Sequence, residues 1–190
     1  MRRRILDAAK SLFVRKGFEN VSMRGIAAAI EYSPAAIYRY FKNKREILTA
    51  LREEGFARFV ALQRERRELT PDPLVRLREG GRGYIRFALD DPENYHLMFN
   101  TGCHEVDLDG ACAAHSLESF DLFGKNVAEC VAAGRFGDVP PRAAVFAVWA
   151  ALHGLANLVL SGRVAALAAD ADIDRMVDDV LDFTLRTAAQ

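Results

Sequence analysis

The sequence predicts an all-α fold: a three-helix head built around a helix-turn-helix, joined by a long helix to a helical body. Three observations carry this. Apolar residues recur at three- and four-residue spacing along nearly the whole chain, and no stretch keeps the alternation of a strand. Ser22 and Ser33-Pro34 are start signals for two short helices on either side of Glu31-Tyr32-Ser33. Breakers at Gly17, Thr70-Pro71-Asp72-Pro73, Asp90-Asp91-Pro92, residues 134–141 and residues 169–172 divide the chain into segments of helical length.

Each element follows from its own residues. Residues 2–16 set Ile5, Ala9, Leu12 and Phe13 on one stripe, and Gly17 stops that helix with Phe18 available to pack back on it. Ser22 caps the second helix, whose inward face is Ile26, Ala27 and Ile30, and Val21 ahead of the cap is spaced to staple against Ile26. The third helix is expected over 34–41, because the Ser33 oxygen caps a free N–H and proline at the first helical position has none to leave unpaired. Asn43 then caps a long helix with Glu46 three residues on, as in a capping box. Its amphipathic pattern runs from Ile47 through Leu48, Leu51, Phe56, Phe59 and Leu62 to about Leu69. Such a helix is about 39 Å long at 1.5 Å per residue, enough to bridge a head and a separate body.

Body helices are expected over 74–89, 92–100, 116–133, 141–161 and 173–188, with residues 101–115 reading as a loop. Gly80, Gly81 and Gly83 read as loosening their helix, since each costs about 1 kcal/mol against alanine there. The division is 1–45 for the head and 46–190 for the body. Residues 143–160 carry no charge, at the lower edge of a membrane span. His153, Gly154, Asn157 and six alanines argue instead for a central helix shared between a core and a dimer interface.

Charge is split along the chain. Residues 1–52 hold 12 Lys or Arg against 4 Asp or Glu, a net of +8, and residues 53–190 hold 14 against 22, a net of −8. A basic first quarter is the footprint of a phosphate-binding module, whereas the acidic remainder is repelled by DNA and must serve another purpose. Arg2, Arg3 and Arg4 read either as a basic arm on nucleic acid or as an ordinary solvated end. Cys103, Cys112 and Cys130 are odd in number and lack a CxxC spacing, which points to packing and a reducing cytoplasm. No signal peptide is visible, because the arginines are followed by a charge-interrupted amphipathic stretch.

In the third helix Ile37 and Phe41 share one face and are expected inside, leaving Pro34, Ala35, Ala36 and Arg39 outward with Tyr38 and Tyr40 on the flanks. Small residues at its start admit the backbone to a groove, arginine donates a bidentate pair to guanine, and tyrosine hydroxyls reach phosphates. Ile-Leu-Asp-Ala-Ala-Lys-Ser-Leu-Phe at 5–13, Gly17-Phe18, Val21-Ser22-Met23-Arg24, Ile26-Ala27, Ser33, Ile37-Tyr38-Arg39-Tyr40-Phe41 and Lys44 together resemble the TetR family of transcriptional regulators. The resemblance implies a DNA-binding head, a connecting fourth helix, and a homodimer whose two recognition helices enter successive major grooves of a partly palindromic operator. It also implies that Ser22, Arg24, Tyr38, Tyr40 and Lys44 hold phosphates while Ser33, Pro34, Ala35, Ala36 and Arg39 face the groove. Two positions depart from the family pattern. Glu31 stands where glycine is usual, at a site that tends to need positive φ, and Ala35-Ala36 replace the common glycine and threonine, so no base preference carries over.

Trp149, with His153-Gly154 after three residues, resembles the Trp-x-x-x-His-Gly (WHG) subgroup of that family, which implies an inducer pocket in the body. Trp149 and His153 meet on one helical face, either as a packed tryptophan beside a hydrogen-bonded histidine or as direct ligand contacts. With Tyr84 and Phe99 they are the candidate ligand-binding residues, His153 being the polar anchor. His96, Cys103, His104, Asp107, Asp109 and His115 cluster in sequence, but at intervals that place no two ligands on one helical face, so neither metal nor cofactor is expected. There is no nucleophile elbow, and Gly80-Gly81-Arg82-Gly83 follows no strand, so enzyme chemistry is not expected. The expectation is a cytoplasmic, ligand-responsive DNA-binding regulator, a repressor released from a palindromic operator by a small molecule. It is expected to be homodimeric through its last two long helices, with no membrane partner. The alternative is a helical small-molecule-binding protein or enzyme in which the helix-turn-helix is incidental.

Overall fold

The computed structural model describes residues 1–68, 70–101 and 111–187. Among them the chain forms ten α-helices and one short 3-10 turn, with no strand. Cys103, His104, Asp107 and Asp109 lie outside the described residues, as do Leu69 and the expected end of the last helix at 188. The chain resolves into two compact units.

The first unit comprises Met1–Arg58 and Asp91–Ser116. Helix α1 (Arg2–Lys16) buries Ile5, Leu6, Ala9 and Phe13 and ends at Gly17, where φ is 79° and the N–H bonds to the Phe13 carbonyl. The Phe18 ring then packs edge-on to Phe13, centroids 5.1 Å apart, at the head of the 3-10 turn Phe18–Asn20. Helices α2 (Met23–Ala29) and α3 (Pro34–Tyr38) are capped as expected, the Ser22 hydroxyl accepting from Gly25 N at 3.1 Å and the Ser33 hydroxyl from Ala36 N at 3.3 Å. Helix α3 is shorter than the expected 34–41. After Tyr38 the Ile37 carbonyl accepts from both Tyr40 N and Phe41 N, tightening the chain into a turn that buries Phe41 and delivers Asn43 to cap the next helix.

Helix α4 (Lys44–Arg67) starts on a capping box shifted by one residue: Asn43 Oδ1 accepts from Glu46 N, while the Glu46 carboxylate reaches Lys42 N at 2.7 Å. Helix α6 (Pro92–Phe99) packs on α1 and is capped by Asp91. Asp91 also receives Lys10 at 3.3 Å and Arg58 at 2.6 Å. Burial alone would raise the Asp91 carboxyl, but the hydrogen bonds from Arg58 and the Asn94 amide and the charge of Lys10 outweigh it and hold the group below its ordinary range.

The second unit comprises Phe59–Asp90 and Leu117–Gln190. It holds the rest of α4, helix α5 (Pro73–Asp90), most of α7 (Ala111–Ala132), α8 (Pro141–Leu160), α9 (Arg163–Leu167) and α10 (Ile173–Thr187). Helix α7 begins five residues before the expected 116, because the run Ala111 to Ala114 has the propensity to carry it back toward Gly110. Helix α9 was not expected; it follows Gly162, which takes a left-handed φ of 71° to turn the chain. Helices α5, α8 and α10 pack mutually, and Gly81 and Gly83 of α5 are close-approach sites, whereas Gly80 has open space beside it. A Cβ on Gly81 would stand 2.5 Å from Leu181 and 3.2 Å from Leu152, so the bare backbone is what admits α10 and α8. Along the α5–α10 contact Arg78, Arg82 and Arg86, one turn apart, pair with Asp182, Asp178 and Asp174 in antiparallel order. Arg67 and Arg76 converge on Glu129 of α7.

Helix α8 is long and apolar enough to cross a membrane by length and composition, with a mean hydropathy of 1.9. In the fold it turns Ala144, Val145, Val148, Leu152, Leu155 and Ala156 inward, and it packs on α5 and α10. On the last helix Val177, Leu181 and Leu185 are spent inside the unit. Phe183, 68% exposed, points out.

Candidate functional site

The helix-turn-helix presents a continuous outward surface. Ile26, Ile37 and Phe41 are buried, which fixes the rotation of α2 and α3 and leaves Arg24, Ala35, Tyr38, Arg39 and Tyr40 exposed, with Pro34 and Ala36 half-buried. Ser22 and Ser33 are exposed at the two helix starts while their hydroxyls cap. Among the described residues neither the side chain of Arg24 nor that of Arg39 has a hydrogen bond or ion pair with the protein, so both guanidinium forks remain available to an external anion or base edge. Tyr38 and Tyr40, 53% and 47% exposed, flank Arg39 with hydroxyls suited to phosphate oxygens.

Lys44 is placed differently from these outward residues. Its ammonium donates to the carbonyls of Phe18 at 2.9 Å and Glu19 at 3.1 Å, and lies 4.4 Å from the centroid of the Phe18 ring. It thereby ties the start of α4 to the 3-10 turn between α1 and α2. The arginine triplet is likewise engaged. Arg2 and Arg3 pair with Glu54, and Arg4 stacks on Tyr32 and donates to the Tyr32 hydroxyl and the Ile30 carbonyl. Arg4 and Tyr32 therefore brace the turn of the motif, a role that no local spacing announces. The turn itself takes the strain expected of it: Glu31 has φ 60°, the one non-glycine residue with positive φ among the described residues.

In the second unit Tyr84, Trp149 and His153 come together. The Tyr84 hydroxyl and His153 Nδ1 lie 2.8 Å apart, and the Trp149 ring lies tilted by 49° against that of His153, centroids 5.9 Å apart. Phe59 packs on Tyr84 and Phe87, and Phe120 and Phe146 extend the rings beyond Trp149. Burial holds His153 below its ordinary value, so at neutral pH it is an uncharged donor and acceptor in an aromatic wall. Phe99 belongs to the first unit, where its ring packs on Phe56 and Tyr95. Cys130 is buried and its thiol is pushed up to about 11 by that burial, in keeping with a packing role. No group of acidic, histidine and cysteine side chains able to hold a metal occurs among the described residues.

Comparison with known proteins adds to this geometry. Residues 5–51 match the profile of bacterial regulatory proteins of the tetR family, and residues 77–184 match that of the tetracyclin repressor-like C-terminal domain. The chain is 29% identical over 98 residues to the HTH-type transcriptional activator FasR of Mycolicibacterium smegmatis, covering 52% of this chain and 45% of that protein. It is 28% identical over 140 residues to the HTH-type transcriptional regulator AcrR of Shigella flexneri, covering 70% of this chain and 65% of that one. The match thus spans 45% of the first of these relatives and 65% of the second. A solved structure of a protein of unknown function from Rhodococcus sp. RHA1 superposes with a TM-score of 0.79 at 28% identity, covering 100% of this chain and 95% of that one.

Proposed function

The chain belongs to the TetR family of bacterial regulators, and from that premise we propose that it is a cytoplasmic, non-enzymatic, DNA-binding transcriptional regulator whose hold on a partly palindromic operator responds to a small molecule. The observation that carries this reading is the pair of exposed, unneutralised arginines, Arg24 and Arg39, set among Ser22, Ser33, Ala35, Tyr38 and Tyr40 on a capped helix-turn-helix. Arg39 reads base edges, with Pro34, Ala35 and Ala36 allowing close approach. Arg24, Ser22 and the two tyrosines position the phosphates, and Lys44 acts by holding the 3-10 turn and the start of α4 in register.

Residues 1–45 are the DNA-binding domain and 46–190 the ligand-binding and dimerisation domain in this reading. Dimerisation is supported by α8, on which Phe146, Ala150, Gly154 and Leu158 recur every four residues as an exposed stripe of large and small apolar side chains, and by Phe183 on α10. The two heads of such a dimer stand about one major-groove turn apart, roughly 34 to 36 Å. In this reading the body is of the WHG type, supported by the Trp149, His153, Gly154 pattern, and the Tyr84–His153 pair beside Trp149 supports an aromatic ligand site with one polar anchor. A ligand that prefers one arrangement of the dimer shifts the operator equilibrium by its differential affinity and no more.

The test is selection of bound sequences from a randomised duplex pool by the purified protein. Recovery of a palindrome with half-sites one turn apart, bound with a steep inverse dependence on salt, is the expected result. Failure to enrich any sequence overturns the reading.

A further inference from the structure

A cleft lies in the body, lined by none of Tyr84, Trp149 and His153. It has a volume of about 350 Å³, within the range of small-molecule sites, and its walls come from α4, α5 and α10. Ile85, Leu89 and Val177 give it an apolar side. Arg82 and Arg86 line it but are already engaged, Arg82 with Asp178 at 2.5 Å and Arg86 with Asp174 at 3.7 Å.

Arg66 is the exception. Its guanidinium tip lies beside Gly83, in the space a Cβ there would fill. It is half-buried, and among the described residues it has no hydrogen bond or ion pair. A partly desolvated guanidinium without an acid partner favours an anion, because its planar fork of donors matches a carboxylate in two parallel bonds.

We propose that Arg66 and this cleft bind the carboxylate of a small amphipathic monoacid, its chain lying along Ile85, Leu89 and Val177. The cleft's charges select a single negative charge. Arg66, Arg82 and Arg86 balance Glu79, Asp174 and Asp178, so the lining has no net positive charge to hold a dianion, whereas a monoanion is matched by the single guanidinium that stands outside an ion pair. The site shares no residue with the proposed DNA interface or with the Tyr84–His153 cluster, and it stands or falls without either.

The experiment is calorimetric titration of the full chain with octanoate, octanol and inorganic phosphate, without DNA. Octanoate is expected to bind saturably and at least about tenfold tighter than octanol or phosphate. Arg66→Gln is expected to weaken octanoate by about tenfold or more while leaving octanol unchanged, and Arg66→Lys, which keeps the charge and loses the fork, to fall between them. Absence of saturable octanoate binding, equal binding of octanoate and octanol, preference for phosphate, or wild-type octanoate affinity in Arg66→Gln each overturns the proposal. Arg66 supports no other described side chain, so circular dichroism of the variants is expected to match the parent.

Discussion

The hydroxyl of Tyr84, on α5, shares a hydrogen bond of 2.8 Å with Nδ1 of His153, on α8, inside a wall of aromatic rings. Burial holds His153 below its ordinary pKa of 6.5, so the unfolded chain takes up a proton that the folded chain refuses. Stability from this residue is therefore fully present above pH 6.5 and is lost as pH falls from there toward the lower folded value. Urea unfolding of wild type and His153→Gln is expected to diverge across that window, the variant losing less stability on acidification. Parallel curves would mean that His153 does not titrate differently on folding. Tyr84→Phe leaves Nδ1 without this partner and is expected to cost about 1 to 3 kcal/mol.

The turn of the DNA-binding motif stores strain at Glu31, whose φ of 60° suits glycine and burdens a side chain. Glu31→Gly is expected to raise stability by about 0.5 to 1 kcal/mol, the relief of the left-handed conformation exceeding the added freedom of the unfolded chain. A rise in the urea midpoint at unchanged m-value is the signature, and a fall would show that the glutamate has a compensating contact.

Outward arginines and the inward lysine should separate cleanly. Arg39→Ala is expected to relax base preference at one or two operator positions, costing about 1 to 3 kcal/mol on the preferred sequence. Arg24→Ala should weaken all sequences alike and reduce the salt slope by about one. Lys44→Ala removes donors to the Phe18 and Glu19 carbonyls and is expected to lower stability by about 1 to 2 kcal/mol, so its binding loss appears together with a lower melting temperature. Binding lost at unchanged stability would instead put Lys44 on the DNA.

What could be read from the sequence was whatever is encoded locally. Ser22, Ser33 and Asn43 each announce a cap within three residues, Gly17 a stop, and Glu31 its own strain, so the motif and the rotation of its helices were visible in advance. The rest depends on which elements meet. Arg78, Arg82 and Arg86 look like a solvated face until α10 brings Asp182, Asp178 and Asp174 against them in reverse order. Gly81 and Gly83 read as defects until Leu181 and Arg66 occupy the space of their missing side chains. Arg4 reads as a charged end until Tyr32 closes over it. Among the ligand candidates, helical spacing paired Trp149 with His153, but only the packing of α5 on α8 brings in Tyr84, while Phe99 packs on Phe56 and Tyr95 in the first unit.

Close packing at Gly81 has a measurable cost if it is filled. A methyl there stands 2.5 Å from Leu181 and 3.2 Å from Leu152, so Gly81→Ala is expected to destabilise by about 1 to 3 kcal/mol despite the better helix propensity of alanine. Gly80→Ala is the control on the same helix: nothing lies within 4 Å of its Cβ, and propensity alone should stabilise it by up to about 1 kcal/mol. If both variants shift the unfolding midpoint the same way, close approach is not the reason for Gly81.

Gly154 allows association to be tested without disturbing the protomer. It lies on the exposed stripe of α8 with Phe146, Ala150 and Leu158, and nothing lies within 4 Å of where its Cβ would be. A side chain there has room in the folded chain and removes a helical glycine, so Gly154→Arg should fold with stability equal to or above wild type as a protomer, by up to about 1 kcal/mol. In a self-complementary interface the same arginine meets its symmetry copy in an apolar seam, where two like charges lose their water together. Sedimentation is therefore expected to show a folded monomer where wild type is a dimer, and operator binding should fall because each half-site is then bound alone. A Gly154→Arg protein that sediments as wild type would move the dimer interface off this face of α8.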